Sequence, residues 1–221
     1  MSFLPIWLKP SKTIPKTSWR SESYWKAKPT TIFLLVLGLW LFGTGEAFLI
    51  SASAGVSPWT VFAQGISVQT GLSIGWATFL SSFIVLVLWI PLKQKLGLGT
   101  VLNAVIIAIS LDLMTFVLPE PKSSLFQVIQ ILLGIAIVGL GSGLYLTCNM
   151  GPGPRDGLMT RIHLITGLPV GRVRLFIEIS VLTLGWLMGG QVGLGTVLFG
   201  VLIGYSVSMW LKIVGKVTKK V

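Results

Sequence analysis

Apolar residues gather in six long runs, at 31–53, 74–92, 100–118, 125–146, 173–188 and 197–214, with polar stretches rich in glycine, proline and basic residues between them. Most runs approach the ~20 residues a helix needs to cross the hydrocarbon core of a bilayer. The fifth is shorter and carries Glu178. The pattern predicts an all-α polytopic membrane protein whose six transmembrane helices occupy 31–215, with a basic N-terminal tail over 1–30 and a short basic C-terminus over 216–221. The tail opens with a brief apolar stretch, broken by Pro5 and placed ahead of its positive charges. A cleaved signal peptide has the opposite order, so the tail reads as a flexible basic segment.

The runs are not independent of one another. Sliding the chain against itself by 96 residues aligns 34–114 with 130–210 without a gap and gives 23 identities in 81 positions. Eight of the nine glycines in the first unit meet a glycine in the second, among them Gly55/Gly151, Gly71/Gly167 and Gly97/Gly193. Pro58 meets Pro154, and the strings TGL and GLGTVL occur in both units. Each unit holds three runs, so the second copy enters the membrane from the opposite face. The expected architecture is two inverted three-helix repeats related by a pseudo-two-fold axis in the membrane plane, an arrangement that recurs in secondary transporters. Duplication that only builds a larger bundle is the plainer alternative.

Composition agrees with this class. Of 221 residues, 53% are hydrophobic and only 10% charged, with a mean hydropathy of +0.87. Soluble domains carry about 25% charged residues, and few could hide this much apolar surface. The net charge of +11 could suggest nucleic acid, but its placement argues against that partner. With six spans, 16 of the 17 Lys and Arg residues fall on one side, leaving Lys122 alone on the other. By the positive-inside rule the protein is N-in and C-in, and anionic membrane lipid is the natural partner of that basic face. Cys148 is the single cysteine, so no intramolecular disulfide forms. Of the tryptophans, Trp19, Trp25, Trp59 and Trp210 fit interfacial anchoring, and Trp40 and Trp76 fit deeper packing.

Two stretches in matching positions break the apolar pattern: GVSPWTVFAQG from Gly55 and GPGPRDGLMTR from Gly151. Each predicts a short helix. Ser57 or Gly153 stands at the N-cap, and Pro58 or Pro154 at the first helical position, where a missing N–H costs nothing. Gly71 and Gly167 suit the left-handed residue that ends a helix. Paired Gly/Pro-interrupted segments in two halves are the best sequence pointer to a transporter's binding site. Free N–H groups at a helix start favour anions, and Arg155 adds a bidentate donor. Pro58, Trp59, Thr60, Pro154, Arg155 and Asp156 are therefore the candidate substrate-binding residues. The segments fit two placements, re-entrant half-helices or amphipathic helices on the membrane surface.

Three carboxylates fall within the apolar runs: Glu46, Asp112 and Glu178. A charge at the centre of a spanning helix costs ~2.5–3.5 kcal/mol on insertion scales, so each is a candidate for proton or cation coupling. Glu46 leads, lying well inside the first run beside Gly43 and Gly45. Asp112 lies nearer a helix end, where an interfacial position is the alternative. Glu178 follows Arg174 by four residues, the spacing of an intrahelical ion pair. The repeat partners of the three acids are Ser142, Ser208 and Ser82. The lone His163 has no Cys or acid cluster beside it, so no metal site is expected. No phosphate-binding loop, zinc-protease motif or nucleophile elbow occurs, so neither an enzyme nor a cofactor is expected.

The residues GLGSGLYLTCNMGPGPRDGLMTRI, followed by GLPVGRVRLFIEISVLTLGWLMGGQVGLGTVL, closely resemble the YczE-like (YczE/YyaS/YitT) bacterial integral membrane proteins. The first unit resembles the N-terminal half of the same family, although Thr60 stands where Asp is frequent and Ala63 where His is frequent. The resemblance spans roughly 33–210 and implies a bacterial inner-membrane protein. It carries no biochemical activity with it. The functional expectation therefore comes from the repeat and its charges: a small-solute secondary transporter or permease, working as a homo-oligomer given its small size. The alternative is a non-transporting accessory or scaffold protein that stabilises a partner complex.

Overall fold

A computed structural model describes residues 14–218, which fold into eight α-helices with no strand among them. In chain order these are α1 (Pro29–Ser51), α2 (Pro58–Thr70), α3 (Ile74–Leu92), α4 (Leu98–Val117), α5 (Ser124–Cys148), α6 (Pro154–Thr166), α7 (Val170–Leu187) and α8 (Leu194–Thr218). The basic positions Lys9, Lys12, Lys219 and Lys220 lie outside the described residues.

Five helices, α1, α3, α4, α5 and α8, are long and apolar enough to cross a membrane. They correspond to five of the six apolar runs. The remaining run is α7, whose 18 residues include Arg172, Arg174 and Glu178. The protein is thus a polytopic helical membrane protein. Phe116, Phe176 and Leu187, each more than 70% exposed, belong to a surface fit for lipid.

Local chemistry sets the helix ends. Proline opens α1, α2 and α6. The Ser73 hydroxyl accepts from the Trp76 N–H at the start of α3. Gly71 and Gly167 end α2 and α6 with φ of 75° and 69°. Gly157 does not interrupt α6, because the Trp89 ring packs directly on it.

The backbone repeats as the sequence does. α2 and α6 have bounds 96 residues apart. So do all four pairs of left-handed residues, Ser53/Asn149, Gly55/Gly151, Gly71/Gly167 and Lys93/Gly189. α1 and α5 cross antiparallel at glycines. A methyl group on Gly38 would lie 2.9 Å from the Gly141 oxygen, and one on Gly45 would lie 2.7 Å from the Gly134 oxygen. Without a hydrophobic drive between helices in lipid, such close backbone packing is what holds spans together. Around this central pair, α4 packs on α1 and α8 on α5, while α2 and α6 each lie against both α3 and α7. The GLGT strings fasten one unit to the other: Gly99 N–H donates to the Met150 oxygen (2.8 Å) and Gly195 N–H to the Ala54 oxygen (2.7 Å). One seam breaks the pattern. α3 packs along α4, but α7 and α8 have no comparable contact.

Two expectations change. Residues 14–28 are held in place rather than loose: Trp19 Nε1 donates to Thr147 Oγ1 (3.2 Å) and Asn149 Nδ2 to the Ser21 oxygen (2.9 Å). These bonds tie the segment to the C-terminal end of α5, whose last carbonyls have no helical partner. Among the tryptophans, Trp76 is 62% exposed and Trp59 is 7% exposed. Trp59 is therefore a packing residue and Trp76 an exposed one, the reverse of their expected burial.

Candidate functional site

The site begins with a carboxylate buried by glycines. Gly43 lets α4 close on α1 at Ser110, and Gly45 lets α5 close on it at Val138. Between them Glu46 is carried into the interior and is 2% exposed. Its Oε2 accepts hydrogen bonds from Ser57 Oγ (2.9 Å) and Thr60 Oγ1 (2.8 Å), both from the first turn of α2. Ser57 occupies the N-cap but makes no side-chain cap bond. Its hydroxyl is spent on Glu46 instead.

The short helices meet here. The Arg155 guanidinium of α6 stacks over the Trp59 ring of α2, 4.9 Å from its centroid, within the range of a cation–π contact. These two residues hold the same position in the two units. Arg155 also interacts electrostatically with Glu46 and Asp156. Next to it, Tyr145 of α5 donates its hydroxyl to Asp156 Oδ2 (2.7 Å). On α7, Arg174 Nε pairs with Glu178 Oε1 at 2.8 Å, the pairing their spacing predicts.

These groups line one cavity of about 240 Å³. Much of the lining comes as repeat pairs, including Glu46/Ser142, Trp59/Arg155, Thr78/Arg174 and Ser82/Glu178. In each pair that carries a charge, only one member carries it. Both units therefore contribute matching positions to the cavity, with charge distributed asymmetrically between them. The Trp59 indole N–H and the Thr78 hydroxyl, both buried, have no hydrogen-bond partner among the described residues.

The structure brings Glu46, Pro58, Trp59, Arg155, Asp156 and Glu178 together around the cavity. Thr60 stands behind it, reaching it through Glu46. Pro154 turns its carbonyl to Trp89 Nε1 at 3.1 Å. Asp112 lies apart, on α4, where Oδ1 accepts from the Gly75 N–H (2.6 Å) and Oδ2 from Ser73 Oγ. It clasps the start of α3 to α4. His163 bonds the Leu168 oxygen through Nδ1 at 2.6 Å, just past the end of α6. Among the described residues, no three His, Cys, Asp or Glu side chains gather as a metal site needs.

Sequence reasoning passes over Tyr145, Ser57 as a donor to Glu46, and the cavity-facing Thr78 and Arg174. The repeat carries a usable signal for some of them, since the counterparts of Glu46 and Glu178, Ser142 and Ser82, both line the cavity. Tyr145 lies three residues beyond Ser142, on the same face of α5.

Comparison with known proteins gives a consistent family. Residues 29–212 match the model of a family of unknown function, DUF6198. An uncharacterized protein of Haemophilus influenzae is 45% identical over 94% of this chain and 95% of its own length. The uncharacterized membrane protein YczE of Bacillus subtilis is 34% identical over 76% of this chain and 79% of its own. The uncharacterized protein YyaS of the same organism is 26% identical over 80% and 90%. No solved structure matches. With the family model covering most of the chain and YczE itself among the relatives, the chain belongs to the YczE-like family of integral membrane proteins.

Proposed function

We propose that this protein is a secondary transporter for a small organic anion, with Arg155 as the anion-binding group and Glu46 as the coupling carboxylate. One observation carries the reading. Glu46, Asp156 and Glu178 each have a hydrogen-bonding or ionic partner of their own. Arg155 faces the same cavity with an aromatic ring as its partner and no carboxylate within ion-pair distance among the described residues. A guanidinium presents five N–H donors in a fork that suits carboxylate or phosphate, so its unmet donors favour an anionic solute.

In this reading the two units are inverted repeats, α7 is the sixth span, and both termini face the cytoplasm of a bacterial cell. α2 and α6 are the paired broken elements at the midplane whose N-terminal turns meet the solute. A proton on Glu46 changes how the Ser57 and Thr60 hydroxyls are engaged, and this links α1 to the first turn of α2. Solute at Arg155 and a proton at Glu46 thereby act on the same two short helices. A homo-oligomer is the expected working form.

The test is flux in proteoliposomes loaded with a pH-sensitive dye and challenged with a panel of monocarboxylates and alkyl phosphates. The account expects acidification coupled to uptake of at least one class, collapsing with Glu46→Gln and with Arg155→Ala while protein yield and monodispersity hold. No anion-dependent flux for any class, with both variants behaving as wild type in cells, would instead favour an accessory protein.

A further inference from the structure

The two units differ most at one seam. In the first unit α3 is tied to α4 by the Asp112 clasp to Ser73 and Gly75, and Ala104 and Ala108 are buried there. The counterparts 96 residues on are Pro169, Gly171, Gly200, Gly204 and Ser208. Proline has no hydroxyl to donate, and serine has no carboxylate to receive. A methyl group on Gly171, Gly200 or Gly204 would meet nothing within 4 Å. The α7–α8 seam is accordingly looser, with a recess of about 310 Å³ bordered by Arg174, Glu178, Gly200, Ile203, Gly204 and Tyr205. The α3–α4 seam also bears a recess, of about 340 Å³ beside Gly75 and Asp112, but that one shares no residue with the central cavity.

The α7–α8 recess adjoins the central cavity, and Arg174, Glu178 and Ile203 form the wall that both share. Its outer members Val201 and Tyr205 are more than half exposed and sit on an apolar outer surface. Displacing the shared wall would join that apolar surface to Arg155 and its unmet donors. An inorganic or short-chain anion gains nothing from an apolar side entrance, since leaving water without compensating bonds is costly. A molecule with an anionic head and one alkyl tail matches both ends. We propose that the solute is a single-chain anionic amphiphile, which enters sideways from the bilayer between α7 and α8 and places its head at Arg155. This rests on the transporter reading above and narrows its substrate class.

The test uses full-length protein in phosphatidylcholine nanodiscs and a fluorescent long-chain polyene carboxylate, read by energy transfer from tryptophan. The expected result is saturable binding that dodecanoate and dodecyl phosphate displace and that acetate and inorganic phosphate do not. Gly204→Leu, which fills the recess, weakens binding by about tenfold or more. So does the double variant Pro169→Ser/Ser208→Asp, which imports the clasp of the first unit, and so does Arg155→Gln. The double variant decides the matter if Gly204→Leu fails to fold. Displacement by acetate or phosphate as effective as by dodecanoate would overturn the lateral route and leave an aqueous transporter standing. Wild-type affinity in both folded seam variants would overturn it too, as would no saturable binding at all. A change in particle mass with unchanged affinity in Gly204→Leu would reassign the seam to a contact between copies. Seam-dependent binding without flux would remove the transport reading and keep the amphiphile site.

Discussion

Glu46 and Asp112 are both carboxylates inside apolar runs, where uncompensated charge is expensive. What separates them is the partner each finds. Asp112 meets one of the N–H groups that every helix start leaves unpaired, that of Gly75, and the hydroxyl of the N-cap Ser73, so that it braces the cap of α3. Glu46 meets two hydroxyls at the rim of a cavity. No spacing rule distinguishes these outcomes, because in both cases the donors come from a different helix or its cap. Their mutants should separate cleanly. Asp112→Ala should cost about 0.5–2 kcal/mol, the usual loss at a helix cap, seen as a lower melting temperature in detergent with flux retained in proportion to folded protein. Ser57→Ala removes a bond to a charged acceptor worth about 1.5–3 kcal/mol. It should shift the pH profile of flux as well as stability. A pH profile identical to wild type would reduce Ser57 to a packing residue.

At the scale of the element, α2 and α6 are the most legible parts of the chain. Their starts follow from Pro58 and Pro154 and their ends from Gly71 and Gly167, whose left-handed backbone the sequence pattern anticipates. The GLGT strings were legible only as repetition. Their purpose is tertiary, since Gly97 and Gly193 close on the backbone that precedes the short helix of the opposite unit. These two kinds of glycine should respond differently to a methyl group. Gly71→Ala meets open space and suffers only the left-handed strain of about 1–2 kcal/mol. Gly195→Ala, in ordinary helical backbone, instead drives a carbon into the Gly55 carbonyl and should be the more destabilising in parallel melting curves. Equal losses would mean that the unit-to-unit clasp is slack. α7 was the least legible helix, because Arg172, Arg174 and Glu178 dilute its apolar signal. The Arg174–Glu178 pair shows how two of these charges are accommodated beside the cavity.

For the molecule as a whole, the duplication explains more than any single motif. It sets the antiparallel glycine crossing of α1 and α5, the cross-unit GLGT clasps and the meeting of Trp59 with Arg155. The departures from symmetry are the charged members of the lining pairs and the loose α7–α8 seam, each of which belongs to one unit or the other. The transporter proposal requires that the cavity open in turn to the two sides of the membrane. The most direct measurement places a cysteine at Thr78, a buried cavity-lining residue, in a Cys148→Ser background. The protein is then labelled with an impermeant maleimide in right-side-out and in inside-out vesicles. The account predicts labelling from both sides, with the balance between the two sides altered by Glu46→Gln. Labelling from one side alone, unchanged by that substitution, would contradict alternating access.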